Sequence, residues 1–129
     1  MKRLLLGLCI FSSALFAVDW VQNIDTALQL AKKEHKNVMV MVEGEHCRWC
    51  KKMKGRTLTD DAVEKRLQNY VAVKVFREDS TAMAKLPAVQ GVPTIFFMRS
   101  DKTIIQEVMG YFNVEDFLSY IDDVEKKSN

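Results

Sequence analysis

Apolar positions along the 129-residue chain switch repeatedly between a helical and an extended period. After Asn23, a residue suited to an N-cap, Ile24, Ala27, Leu28 and Ala31 fall at i, i+3, i+4 and i+7, which predicts an amphipathic helix. It closes on Lys32-Lys33-Glu34-His35-Lys36, mostly positive charge that suits a helix C-terminus, and His35 reads as a solvated end residue. Residues 38–43 follow as a strand, with Val38, Val40 and Val42 on one face and Met39 and Met41 on the other. A strand apolar on both faces belongs in the middle of an α/β sheet. A second helix is expected from about Cys47 to Arg56. A third covers 60–68, with Thr59 as its cap and Leu58 and Val63 spaced as a hydrophobic staple. Tyr70–Phe76 reads as a strand, and Ser80 caps a short helix, Thr81 to Leu86, stopped by Pro87. Pro93 opens another strand, to Met98, where a missing N–H is tolerated. Ser100-Asp101-Lys102 turns it into 103–109 as a hairpin. The last helix starts at Asn113, with Phe112 and Phe117 as a staple and Phe117, Leu118, Ile121 and Val124 as its buried face. Residues 18–22 read as a lead-in without regular structure.

This length holds one domain, and 48% hydrophobic with 28% charged residues suits a packed core rather than a disordered or fibrous chain. The first residues differ from the rest. Lys2-Arg3, the apolar run from Leu4 to Phe11, and Ser12-Ser13-Ala14-Leu15-Phe16-Ala17 have the order of a secretory signal peptide. The expected division is a signal peptide over 1–17, cleaved after Ala14 or Ala17, and a domain over 18–129. The apolar run is short of the roughly 20 residues a spanning helix needs. Cys9 reads as part of that run. Without Lys2 and Arg3 the basic side chains equal the 17 acidic ones, so nothing suggests a nucleic acid or membrane-surface partner.

Cys47 and Cys50 are then the remaining thiols, in a compartment where disulfides persist. At the first turn of the expected helix, Cys47 meets backbone N–H groups without intrahelical partners and the positive end of the helix dipole. Arg48, Lys51 and Lys52 add positive charge. All of this favours the thiolate, the nucleophile of disulfide chemistry. Lowering a thiol pKa from about 8.5 to about 6.5 represents roughly 2.7 kcal/mol of preference for the anion. A structural zinc site wants four Cys or His ligands, and here only Cys47, Cys50, His46 and His35 are at hand, with His46 adjacent to Cys47. Covalent haem needs His after the second Cys, where this chain has Lys51. A merely structural disulfide closing so short a loop would contribute little chain-entropy stabilisation. Met39, Met41, Met98 and Met109 read as core filling rather than copper ligands. No metal and no cofactor is expected.

Cys47-Arg48-Trp49-Cys50, followed some forty residues later by Gly91-Val92-Pro93-Thr94 before an apolar strand, resembles the thioredoxin superfamily. Ala27-Leu28 through Ala31-Lys32 and then Lys36-Asn37-Val38 are similar to its exported members, the group that includes the C-terminal domain of DsbD and the SoxW-like proteins. The resemblance implies an α/β thioredoxin fold, a central mixed β-sheet flanked by helices, preceded by the signal peptide. It implies Cys47 as the attacking thiol, Cys50 as the resolving thiol, Pro93 as a cis-proline beside them, and Val92 and Trp49 as client contacts. It implies a monomeric periplasmic thiol–disulfide oxidoreductase that serves disulfide- or thiol-containing exported proteins and draws electrons from a membrane donor in the reducing direction. A disulfide-forming oxidase and a metal or apocytochrome chaperone are the alternatives. The chain departs from the family pattern at His46, where a flat aromatic is usual, at Arg48-Trp49, and at Met41, where a buried Asp usually serves Cys50. Glu43 lies two residues on, hence on the same strand face and about 6.6 Å nearer the loop. It reads either as the replacement proton acceptor or as a solvated residue at the strand's end.

Overall fold

The computed structural model describes residues 16–129, so the segment read as a signal peptide lies outside the described residues except for Phe16 and Ala17. Five strands form one sheet: β1 (Trp20–Val21), β2 (Asn37–Glu43), β3 (Tyr70–Phe76), β4 (Thr94–Met98) and β5 (Ile104–Met109). Their spatial order is β1-β3-β2-β4-β5. β3 runs parallel to both β1 and β2, while β4 is antiparallel to β2 and β5, so the sheet is mixed. β2 lies in the middle, as its two apolar faces require, with six of its seven residues buried.

The period-2 alternation of β2 divides the core. Val38, Val40 and Val42 pack with Ile24, Ala27, Leu28 and Ala31 of α1 (Ile24–Glu34) on one face. Met39 and Met41 face the other helices: α2 (Arg48–Lys52), α3 (Asp61–Leu67) and α5 (Val114–Ser128). The remaining helix, α4 (Ser80–Met83), is a single turn on the α1 side. Phe96 and Phe97, adjacent on β4, project into opposite layers, and Phe117 of α5 meets Phe97. Each such fully buried ring stabilises the fold by about 1.5–3 kcal/mol in transfer terms.

Asn23 and Asn113 cap their helices, accepting the amides of Thr26 and Asp116 at 2.8 Å. His35 ends α1 exposed and in the left-handed region, with Lys36 N–H donating back to the Ala31 carbonyl at 2.9 Å. Four local expectations are corrected. Trp20–Val21, read as lead-in, pairs with Ala72 and Val73 as a short strand. Asp60, not Thr59, caps α3 by accepting from Ala62 and Val63, while Thr59 donates to the Gly55 carbonyl. Asp79, not Ser80, caps α4, which ends at Met83 rather than Leu86. A carboxylate carries charge matched to the helix start, so at both places it prevails over the neighbouring hydroxyl. Finally, Met109 is 53% exposed and no part of the core.

Candidate active site

β2 ends at Glu43, and four residues later the chain enters α2 with Cys47 as the N-cap. Cys47 is extended, and its Sγ accepts the Cys50 amide at 3.1 Å, filling the place an Asp or Ser oxygen takes in an ordinary cap. Cys50, one turn inside, is 1% exposed and packs with Met41 and Met53, whereas Cys47 is half-buried. The two sulfurs form a disulfide with Cα atoms 5.2 Å apart, an ordinary span for such a bond. The outer sulfur thus sits on a backbone donor and the inner one in apolar surroundings.

Helix α2 does not stop at Lys52. It widens into a π-helical turn, Met53–Thr57, in which Leu58 N–H reaches the Met53 carbonyl five residues back. The wide turn lets two consecutive residues, Thr57 and Leu58, both enter the core. The buried Thr57 hydroxyl donates to the Phe112 carbonyl at 2.6 Å, tying the helix to the β5–α5 loop.

That loop also reaches the proline. The Val92–Pro93 peptide is cis, and the Pro93 carbonyl accepts Gly110 N–H at 2.8 Å. Gly110 has φ +104°, a conformation that side-chain-bearing residues seldom adopt. Thr94, fully buried, donates its hydroxyl to the Gly91 carbonyl at 2.7 Å and so pins the other end of the proline segment. On the cysteine side Gly44 permits close contact: a Cβ there would lie 3.3 Å from Val92 Cγ2. Cys47 and Val92 pack against the same core cluster that holds Cys50. Trp49 is 51% exposed, with its ring 5.6 Å from that of Tyr111. The structure therefore draws Cys47, Cys50, Trp49, Val92 and Pro93 into one region joined by the loops around Gly44 and Gly110. His46 is exposed beside it.

Glu43 is the unexpected member. It is 4% exposed, on the Met39 and Met41 face of β2, and accepts from Lys54 Nζ at 2.6 Å. The reading of Glu43 as a solvated strand end is thereby overturned. Lys54 follows Cys50 by four residues and stands on the π-helical turn that continues α2. Sequence reading missed Lys54, although its i+4 spacing from Cys50 was there to see. It missed Tyr111 as well, which only the folded β5–α5 loop brings to Trp49. Slight burial raises the Glu78 carboxyl, but amides of Glu78 and Glu45 and the Arg77 guanidinium hold it below the usual carboxylate range. Among the described residues no three His, Cys, Asp or Glu side chains gather as a metal site.

The sequence profile of the thioredoxin-like domain matches residues 24–125. Thiol:disulfide interchange protein DsbD of Actinobacillus pleuropneumoniae is 30% identical over 102 residues, covering 74% of this chain and 18% of that protein. Anterior gradient protein 3 of Mus musculus is 25% identical over 96 residues, covering 74% of this chain and 58% of the relative. The chain thus spans about half of one curated relative and a fifth of the other. Among solved structures, the oxidised DsbD C-terminal domain of Neisseria meningitidis superposes with a TM-score of 0.63 at 24% identity, over 76% of this chain and 90% of that one.

Proposed function

Because the chain belongs to the thioredoxin-like family of disulfide oxidoreductases with a C-x-x-C pair, we propose that it exchanges disulfides with exported client proteins, in the reducing direction. The observation that carries this reading is the unequal setting of the two sulfurs: Cys47 at a helix cap and half-buried, Cys50 enclosed behind it. Reduced Cys47 attacks one sulfur of a client disulfide as the thiolate. The Cys47–client bond forms, the client's own S–S bond breaks, and its other sulfur leaves as a thiolate. Cys50 then gives up its proton and attacks Cys47, which forms the internal disulfide and releases the second client sulfur. Two electrons pass to the client, and the protons it takes up come from Cys50 and from solvent. Val92 and Pro93 form the neighbouring wall against which the client backbone rests, and Trp49 supplies an apolar contact.

Glu43 receives the Cys50 proton, directly or through one water, and the contact with Lys54 Nζ holds its side chain in position. The chain works in the periplasm after cleavage following Ala14 or Ala17, as a monomer, and a membrane donor returns electrons to its disulfide. Support comes from the order of residues 1–17 and from the DsbD relative, whose name states thiol:disulfide interchange for that protein.

Trapping tests the reading. Cys50→Ser should accumulate mixed disulfides with exported proteins that dithiothreitol releases, and Cys47→Ser should accumulate none. Equal trapping by both variants, or by neither, would defeat the assignment of roles.

A further inference from the structure

Beside the dithiol lies a group of charges that the exchange chemistry leaves unused. From Arg48 to Thr57 the helix and its π turn carry five cations and no acid. Lys54 is neutralised by Glu43, but Arg48, Lys51 and Lys52 have no ion-pair partner among the described residues. Arg48 and Lys51 are exposed. Lys52 is held in place: its Nζ lies 4.7 Å from the centre of the Trp49 ring and 4.6 Å from that of Tyr111. An ammonium between two ring faces gains from both quadrupoles, and the side-chain freedom a lysine would lose on meeting a partner is already lost. Tyr111 is itself fixed, since Gly110 before it bonds to Pro93 and Phe112 after it accepts from Thr57. Two exposed carboxylates belong to the neighbouring loops: Glu45, before Cys47, and Glu78, which accepts the Glu45 amide and pairs with Arg77. Residues 18–129 carry 17 basic and 17 acidic side chains, so this excess of positive charge is local to the rim of the dithiol.

We propose that Trp49, Lys52 and Tyr111, flanked by Arg48 and Lys51, form a selection ridge for clients whose reactive cysteine lies in an acidic segment. The client's carboxylates meet the fixed Lys52 ammonium and its neighbours, and an apolar client side chain covers the exposed face of Trp49. This rests on the disulfide-exchange reading and adds the class of client to it. The attraction acts on the approach of the client, so it appears as a salt-dependent rate.

Three synthetic peptides test it, alike except for two Asp, two Ser or two Lys beside a single cysteine held as its mixed disulfide with thionitrobenzoate. Attack by reduced Cys47 forms the Cys47–peptide disulfide and expels coloured thionitrobenzoate, and Cys50 then frees the peptide thiol. At about 0.01 M salt the Asp peptide should react about tenfold faster than the Ser peptide, and at about 1 M salt the two should converge. The Asp-to-Ser ratio cancels any change in the intrinsic reactivity of Cys47. Lys52→Gln should lower that ratio about threefold, and Tyr111→Leu should lower it too although no charge is removed. Equal rates for all three peptides, or a ratio unmoved by both variants, would overturn the selection ridge and leave disulfide exchange standing. Failure to release thionitrobenzoate from any peptide would overturn the exchange reading, and the ridge with it.

Discussion

The Glu43 carboxylate and the Lys54 ammonium are 2.6 Å apart, with the carboxylate almost out of solvent and the lysine side chain 30% exposed. That asymmetry decides which partner is costlier to lose. Lys54→Met strands a buried anion and should cost about 3 kcal/mol, whereas Glu43→Gln leaves an ammonium that can still reach water and should cost about 1 kcal/mol. Urea unfolding of the two variants measures the difference. Equal losses would mean that burial of the carboxylate does not govern the pair.

The proposal that the same glutamate accepts the Cys50 proton makes a kinetic prediction. Glu43→Gln should lower disulfide turnover several-fold near pH 7, and the deficit should shrink toward pH 9 as hydroxide takes over the proton. A loss of equal size at every pH would instead mark Glu43 as structural. No loss at all would remove it from the proton path.

Alkylation of the reduced protein should modify Cys47 well before Cys50. The Cys47 rate should rise at a pH below the ordinary thiol range of about 8.5, because its sulfur accepts a backbone amide and lies among cations. Peptide mapping after brief iodoacetamide treatment across pH reports both quantities. Modification of Cys50 first would reverse the roles.

Gly110→Ala isolates the conformational contribution of the β5–α5 loop. Nothing lies within 4 Å of the added Cβ, so any loss reflects the backbone at φ +104° alone. A cost of about 1–3 kcal/mol is expected, with slower client exchange, since the residue that must relax is the one bonded to Pro93. Thermal unfolding and thionitrobenzoate release, run on the same preparation, check the two together.

At high pH the fold should weaken through Tyr70. Burial disfavours its phenolate, and the Glu125 carboxylate adds to this, so its pKa is raised from 10.0 to about 12. Below pH 10 both folded and unfolded chains keep the proton and the contribution is complete. As pH rises from 10 to about 12 the unfolded chain ionises first, and stability falls by up to about 2–3 kcal/mol. Absorbance titration should show one of the three tyrosines ionising last, and Tyr70→Phe should remove that late step.

How much the sequence discloses depends on how local the cause is. Asn23 and Asn113 are legible as caps because each is the single suitable side chain at its helix start. At Thr59-Asp60 and Asp79-Ser80 two candidates adjoin, and spacing alone does not separate them; the charge of the carboxylate at the helix start does. Trp20–Val21 has too few residues for a period and exists as a strand only through β3. The C-x-x-C, the central strand and the two-layer core follow from spacing alone. Burial of Glu43 does not, because an acid at a strand end reads as solvated until a partner eleven residues away is folded against it. Tyr111 is hidden for the same reason: its contact with Trp49 spans most of the domain.

On the proposed exchange, the sulfur that attacks clients is also the atom that starts the helix, and in that role Cys47 is a good leaving group as well as a good nucleophile. Once bonded to a client, its sulfur no longer carries the negative charge that the Cys50 amide and the neighbouring cations favour. When Cys47 is expelled again, that anion is regenerated in the place that suits it, and the thiol that holds its anion best is the one that departs fastest. A client bound through Cys47 can therefore escape backwards, unconverted, in competition with attack by Cys50. The fate of each encounter is then set by how quickly the enclosed thiol can shed its proton, and not by how readily the outer one engages.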